Sequence, residues 1–298
     1  MKLDEPYTVT YDGIYAVCDR TNRYVDIIER STCYGGSAWT MHHYASSPLV
    51  SDIRSAGNMI RYCCAVGTKE LELEASVAAA GIESVKVTAD EVEITYAGLG
   101  GGGVGATVCR AQSQGVLGYN ISESGGGRAA KGTITVPRLE RLLIGIDDTD
   151  NKEQGATWSL AHNIAANLDH PDTRYLSHAL VQLFPAPAKT QNCVSTVLEF
   201  GYADRSSKQV LLEGIYSALE QYSVSNETGM VVLDDFDASH LKDYSHECRT
   251  KILTKQYGLE TARSNNVEIM MSGNGIIGAI AALPWYARPN ESVKIEQC

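Results

Sequence analysis

Three carboxylates and a hydroxyl stand side by side at Asp147-Asp148-Thr149-Asp150, directly after the apolar run Leu142-Leu143-Ile144-Gly145-Ile146. Carboxylates packed this closely repel one another by about 4 kcal/mol per pair at contact distance in a surface-like dielectric, and a cation removes that cost. All-oxygen ligation suits a hard ion such as Mg²⁺, which one or two carboxylates usually hold together with substrate phosphates. Asp147, Asp148 and Asp150 are therefore the candidate metal ligands. The same residues also suit an ordinary strand-to-helix turn with Thr149 or Asp150 as its cap, and on this run alone both readings stay open.

Two other stretches bear on phosphate. Ser272-Gly273-Asn274-Gly275-Ile276-Ile277-Gly278-Ala279 has the form of a glycine-exposed helix start whose amides point at an anion. It equally fits a helix packed tightly through Gly278, Ala279, Ala281 and Ala282. Lys189, in a proline-punctuated turn with Thr190 and Asn192, can neutralise a phosphate as a point charge, although a lone exposed lysine is more often solvated surface. No GxxxxGK[ST] occurs, which excludes a P-loop NTPase.

The elements that must position these residues are those of a mixed α/β chain. Residues 7–30 alternate like two antiparallel strands; 49–60 reads as a weak helix and 61–67 as a strand; 70–80 reads as a second helix; 84–88 and 91–97 are strands. Pro137 marks the end of a glycine-rich tract, so a domain boundary is placed near 138. Beyond it come strand 141–146, a helix from Thr157 to Leu168, strands 175–183 and 193–200, and an amphipathic helix 206–222. Strand 229–233, a polar helix 239–256, strand 267–271 and a small-residue helix through 283 complete the chain. The expectation is α+β or α/β, with two sandwich-type domains, 1–138 and 139–298, built of mixed sheets with helices packed on them.

Gly98-Leu99-Gly100-Gly101-Gly102-Gly103 satisfies GxGxxG after a strand, and Glu123 stands where a ribose-binding acid would be sought. Redundant glycines match that pattern easily. A dinucleotide fingerprint, a phosphate-cradling loop and a flexible hairpin or lid all remain readings of it, with Gly125-Gly126-Gly127 as a second cluster.

The 298 residues carry 25 basic and 36 acidic side chains, a net charge of −11 that offers no basic footprint for nucleic acid or an anionic membrane. Eight cysteines occur without a CxxC, which reads as reduced thiols; Cys63 and Cys64 lie in an apolar run suited to packing, and a spatial cluster of Cys18, Cys33 or Cys109 with His42 and His43 is the metal alternative. With no leader-like start and no apolar run of spanning length, the expected location is the cytoplasm.

Taken in order, Gly145-Ile146-Asp147-Asp148-Thr149-Asp150, Pro185 to Asn192 with Lys189-Thr190, Asp243-Tyr244-Ser245 with Glu247, and Gly273-Asn274-Gly275 with Ile277-Gly278-Ala279 resemble the kinase-like domain of the archaeal tRNA-isoleucine agmatidine synthetases, over roughly residues 140–283. The resemblance implies ATP with Mg²⁺ and activation of a substrate by phosphoryl transfer. It assigns metal to Asp147, Asp148 and Asp150, cofactor binding to Thr149, Thr190, Asn192, Gly273, Asn274 and Gly275, and catalysis to Asp148, Lys189, Asp243 and Glu247. Gln191 and Asn274 depart from the family's pattern, which has an Arg-Gly pair before the asparagine and an arginine in the glycine loop. No cysteine pair is present for that family's zinc ribbon. With the acidic balance, this leads to the expectation of a small-molecule or protein substrate and no tRNA or membrane partner.

The whole chain is similar to the methanogenesis marker protein 11 family. The function expected is an ATP- and Mg²⁺-dependent phosphotransferase or ligase-like enzyme in maturation of a methanogenesis enzyme or cofactor. A nucleotide-binding assembly factor without turnover, and a dinucleotide-binding oxidoreductase, are the alternatives.

Overall fold

The computed structural model describes residues 1–168, 172–187 and 189–294. The chain divides into two compact units, Met1–Leu139 and Glu140–Cys298. The architecture is mixed α/β, strands with helices packed on them.

In the first unit, β1 (Gly13–Cys18), β2 (Tyr24–Arg30), β3 (Val50–Ala56), β4 (Met59–Ala65), the short β5 (Gly67–Thr68), β6 (Ala80–Val87), β7 (Glu91–Leu99), β8 (Gly118–Ile121) and the first part of β9 (Ala129–Asp147) form a sheet. Its order is β3-β4-β2-β1-β9-β7-β6-β5, antiparallel apart from the β1–β9 pair. Helix α1 (Tyr34–Tyr44) and the helical run of α2 (Gly101–Val104) with the π-turn Gly105–Cys109 supply Tyr44, Ala106 and Cys109 to the core formed by Ile14, Ile27, Tyr62, Ile94 and Ile134.

Several expectations fail here for identifiable reasons. Residues 49–60 are a hairpin and not a helix, because Gly57-Asn58 closes a two-residue loop between Ala56 and Met59, with Gly57 at φ +57°. Residues 70–80 also form no helix: the alternation of Leu71, Leu73, Ala75 and Val77 has a period of two, and the segment makes a single bridge between Glu74 and Ala78 before β6 begins. Pro137, which follows the glycine-rich tract, itself lies inside a strand. β9 runs through it, since the pairing with β7 finishes at Pro137 and its missing N–H interrupts no further ladder on that side.

In the second unit the remainder of β9 is the middle of an antiparallel sheet, ordered β10 (Thr173–Gln182), β11 (Val194–Tyr202), β9, β12 (Gly229–Leu233), β13 (Glu268–Ser272). Successive side chains of a strand point to opposite faces. Accordingly Leu142, Ile144 and Ile146 pack with α3 (Thr157–Asn167) and α4 (Arg205–Tyr222), while Leu143 packs on the other face with α5 (Lys242–Thr250), α6 (Lys255–Ser264) and α7 (Ile276–Ala282). The short α8 (Pro289–Ser292) follows. Gly145 has no side chain because α7 lies on it: a Cβ there would stand 2.1 Å from the Ala279 carbonyl oxygen.

The expected helix 239–256 is two helices. It breaks before Thr254, whose hydroxyl caps α6 by accepting the Tyr257 N–H. Asp204 caps α4 in the same manner, accepting from the amides of Ser206 and Ser207. Helix α3 starts at Thr157 as expected, with Ala156 in the N-cap place.

Candidate active site

The acidic turn lies at the end of β9, where the strand leaves the sheet through Asp148 in the left-handed region at φ +54°. Aspartate tolerates that conformation better than most residues. The Asp148 N–H donates to Asp147 Oδ1 at 2.9 Å, so the turn is held by its own first carboxylate. Oδ2 of Asp147 faces α7, and the fit is close enough that a Cβ on Gly278 would sit 1.9 Å from it. Burial, and then the neighbouring charge of Asp148, holds the Asp147 carboxyl well above the ordinary carboxylate range. Burial followed by Asp150 and Glu227 pushes Asp148 up to about 6.

Asp147 and Asp148 open onto a cavity of about 200 Å³. Lys189, Thr190, Asn192 and Asn274 line the same space, with Lys251 at its side and Phe184, Leu253 and Ile277 as apolar walls. Residues far apart in sequence, from β9, the turn after β10, the segment after α5 and the start of α7, thus meet around one carboxylate pair.

Other expected residues do not meet there. Asp150 turns instead to the Thr190 hydroxyl, which donates to its Oδ1 at 2.8 Å. Among the described residues no group of three His, Cys, Asp or Glu is placed to hold a metal, and this holds equally for Cys18, Cys33 or Cys109 with His42 and His43. Thr149 is buried and structural: its N–H and hydroxyl both donate to Thr157 Oγ1 at 3.1 Å, and its carbonyl accepts the Val224 amide.

Gly273 and Gly275 are close-packing residues and do not line the cavity. A Cβ on Gly273 would lie 2.1 Å from the Glu227 backbone, one on Gly275 2.6 Å from the Asp147 carbonyl oxygen, and their amides donate to the carbonyls of Thr228 and Glu227. The Asn274 amide donates to Glu227 Oε2 at 2.8 Å, so a carboxylate of the protein already sits where an anion was expected.

Asp243 and Glu247 are likewise corrected. Asp243 is exposed away from the cavity, and Glu247 pairs with Lys251 at 3.2 Å. Their motif is conformational: Tyr244 donates to the Ile277 carbonyl, while Ser245 donates to the Ala281 carbonyl and accepts from Trp285 Nε1. Arg249, a basic residue near the site in sequence, is buried over the Trp285 ring and donates to backbone carbonyls, among them that of Gln182.

Glu227, Cys193 and Cys248 escaped the reading from sequence as parts of this site. Only Glu227 carried a local signal, the Ser225-Asn226-Glu227-Thr228-Gly229 turn entering a strand. Burial pushes the Cys248 thiol up to about 12 and raises Cys193 as well, which leaves both as inert wall. Ala188 in the lysine turn, and Cys298, lie outside the described residues. In the first unit, β7 is antiparallel to both of its neighbours, so the 98–103 glycines do not open the parallel βαβ unit that a dinucleotide fingerprint requires.

The segment that carries the acidic turn and the lysine turn, residues 143–211, matches the family model of the TiaS TCKD domain. Over 284 residues the chain is 39% identical to an uncharacterized protein, MJ0921, of Methanocaldococcus jannaschii, covering 93% of this chain and 94% of that one. The chain belongs to the family of that protein. Among solved structures, the complex of TiaS with its tRNA and ATP is similar with a TM-score of 0.44 and 22% identity over 48% of this chain and 36% of that one. Apo TiaS, a tRNA agmatidine synthetase, gives 0.43 and 20% over 48% and 35%. The chain thus spans about a third of the length of these structures.

These matches overturn one expectation. The expected absence of a tRNA partner rests on net charge and on the lack of a zinc ribbon, whereas the matched domain is that of TiaS, which has been solved in complex with a tRNA. Net charge averages over the whole surface and does not exclude a local RNA contact. No helix among the described residues is long and apolar enough to cross a membrane.

Proposed function

We propose that the second unit, residues 140–298, is an ATP- and Mg²⁺-dependent activating domain of phosphotransferase or ligase type. The observation that carries this reading is the cavity in which the half-buried carboxylate pair Asp147 and Asp148 faces Lys189, Thr190, Asn192 and Asn274. The donor set fits the metal: two hard oxygen ligands, crowded and lacking a cationic partner among the described residues, match the one or two carboxylates with which Mg²⁺ is held beside phosphates. When bound, the ion would neutralise charge on the triphosphate. Lys189 stabilises the transferred phosphoryl group by its charge, and Thr190 and Asn192 orient the phosphates through hydrogen bonds. Asp150 serves as a positioning residue through Thr190.

The match to the TiaS TCKD domain supports ATP as the nucleotide. The resemblance to methanogenesis marker protein 11 motivates a role in maturing a methanogenesis enzyme or cofactor, and the acceptor is to be sought with RNA among the candidates. The cytoplasm is the proposed location. A second reading, nucleotide binding without turnover, is favoured by Glu227, whose carboxylate a phosphate must displace to reach the Asn274 amide.

Calorimetric titration of Asp148→Asn tests the site. Mg²⁺-dependent ATP binding should disappear while the melting temperature without ligand stays level or rises, because like-charge repulsion is relieved. Equal ATP affinity in variant and parent would overturn the assignment. Release of ADP or AMP over many turnovers, measured with and without added tRNA, separates an enzyme from an assembly factor.

A further inference from the structure

Behind the wall of the acidic site lies a hydroxyl to which the proposed function gives no part. Ser195, on β11, is fully buried, and among the described residues its Oγ has no hydrogen-bond partner. Buried hydroxyls are ordinarily paired, and one that is not calls for a reason. Cys193 and Val194, just before it in the chain, line the cavity of Asp147 and Lys189, whereas Ser195 is shut off beneath them.

The sheet register places Ser195 beside Asp147. β11 runs antiparallel to β9 with Val197 opposite Gly145 and Thr196 opposite Ile146, so the next step along the same ladder brings Ser195 opposite Asp147. Asp147 still belongs to β9 at that point, pairing with Gly229 of β12 on its other side.

Alternation along the strand settles which face the two side chains share. The Thr196 hydroxyl meets His178, which stacks on His162 of α3, so Thr196 points to the α3 side of the sheet. Ser195 and Val197 therefore point to the other side, where Val197 packs in one core with Ala279 and Ile280 of α7. Asp147 points there as well, with its Oδ2 against Gly278 of α7.

Side chains directly opposite on one face of an antiparallel pair have Cβ atoms about 4.5–5.5 Å apart. From that separation a serine hydroxyl reaches a carboxylate oxygen by rotation about χ1 alone. An ionised carboxylate offers about four acceptor positions. The Asp148 N–H takes one at Oδ1, and the close seat of α7 leaves no room for a water between Oδ2 and Gly278. A donor on this side has to come from the protein.

We infer that Ser195 is a positioning residue for Asp147, its hydroxyl donating to the carboxylate that holds Mg²⁺ and fixing the direction in which the ligating oxygen points. Outer partners of this kind orient a metal ligand without touching the metal. The inference rests on the Mg²⁺ reading of the second unit.

Calorimetric titration of the full chain with the nonhydrolysable β,γ-imido analogue of ATP, over a series of Mg²⁺ concentrations, tests it. Ser195→Ala should raise the half-saturating Mg²⁺ concentration by about tenfold or more. Its melting temperature without ligand should stay level or rise, because the hydroxyl removed is an unpaired one. Ser195→Thr, which keeps the hydroxyl, should stay within about threefold of the parent; if it fails to fold, the alanine variant decides. Thr196→Val, on the opposite face, takes a hydroxyl from the Ala179 carbonyl and should lower the melting temperature while leaving the Mg²⁺ dependence unchanged. A Mg²⁺ dependence of Ser195→Ala equal to the parent's, or a shift matched by Thr196→Val, would overturn the proposal. A parent chain that binds the analogue without regard to Mg²⁺ would overturn the metal reading and this inference with it, so the parent titration tells the two failures apart.

Discussion

Each unit buries an arginine on a glutamate among aromatic rings, and the second also crowds the carboxylates of Asp147 and Asp148 without an ion-paired countercharge among the described residues. In the first, Arg110 and Glu29 are both fully buried, their paired nitrogens and oxygens 2.8 and 2.9 Å apart, and the guanidinium lies over the rings of Tyr11, Tyr44 and Tyr96. In the second, Arg141 meets Glu199 at 2.8 Å, lies over Phe236 and Tyr286, and donates to the Phe236 carbonyl. Both arginines are satisfied by charge, hydrogen bonds and π-faces together, which is what makes a buried guanidinium tolerable. Asp147 and Asp148 have no such arrangement. The difference separates charge that organises a core from charge held in reserve for a ligand.

Breaking the balanced pairs should produce the largest effect. Arg110→Met takes the arginine from buried Glu29, and Arg141→Met does so from Glu199, which keeps the Ser177 hydroxyl; each should destabilise its unit by about 3–5 kcal/mol in chemical denaturation, the first more than the second. The double change Glu29→Leu with Arg110→Met should recover most of that loss. If the single substitution is harmless, the pair is not the organising element described here.

Gly278→Ala sharpens the contrast from the side of the site. Its Cβ would fall on Asp147 Oδ2 and within 2.8 Å of Leu183, so overpacking should cost about 1–3 kcal/mol and displace the carboxylate. Loss of ATP affinity larger than the loss of stability would show that the position of Asp147 matters beyond folding; an unchanged melting temperature would contradict the packing.

The smallest effect is a pH dependence confined to the second unit. His178, stacked 5.7 Å from His162 and bonded to the Thr196 hydroxyl, is held neutral by burial and then by His162, with its pKa down at about 4. An unfolded histidine titrates near its model value of 6.5, so on lowering the pH from 6.5 towards 4 the unfolded state takes up the proton first and stability falls. His178 alone should cost about 1–2 kcal/mol at pH 5, read as the difference between the profiles of the parent and His178→Leu, because the raised carboxyls of Asp147 and Asp148 gain stability over the same range. A stability profile of the variant parallel to that of the parent between pH 4 and 6.5 would remove His178 from this account.

How much of the site could be read from sequence follows from which contacts are local. The acidic turn, the lysine turn and the glycine run were all visible, because each is a short string of residue types whose chemistry is intrinsic. Their roles were less so. Thr149, Gly273 and Gly275 look like ligand residues in one dimension, yet the chain uses the hydroxyl to fasten a turn and the glycines to admit neighbouring backbone. Helix expectations at 49–60 and 70–80 failed where weak periodicity outweighed a Gly-Asn turn and a period of two.

By itself the sequence determined most of the strand and helix alternation of 140–283, the acidic end of β9 and the mixed α/β class, since periodicity and residue chemistry act over a few neighbours. Tertiary structure alone decided which carboxylates share a cavity with Lys189, and that Glu227 reaches the Asn274 amide. It alone decided that Ser195, far from the acidic turn in the chain, stands beside Asp147. The physical reason is common to all three: side chains distant in the chain become neighbours only when a sheet brings its strand ends together and helices cover its faces, and no local pattern encodes that closure.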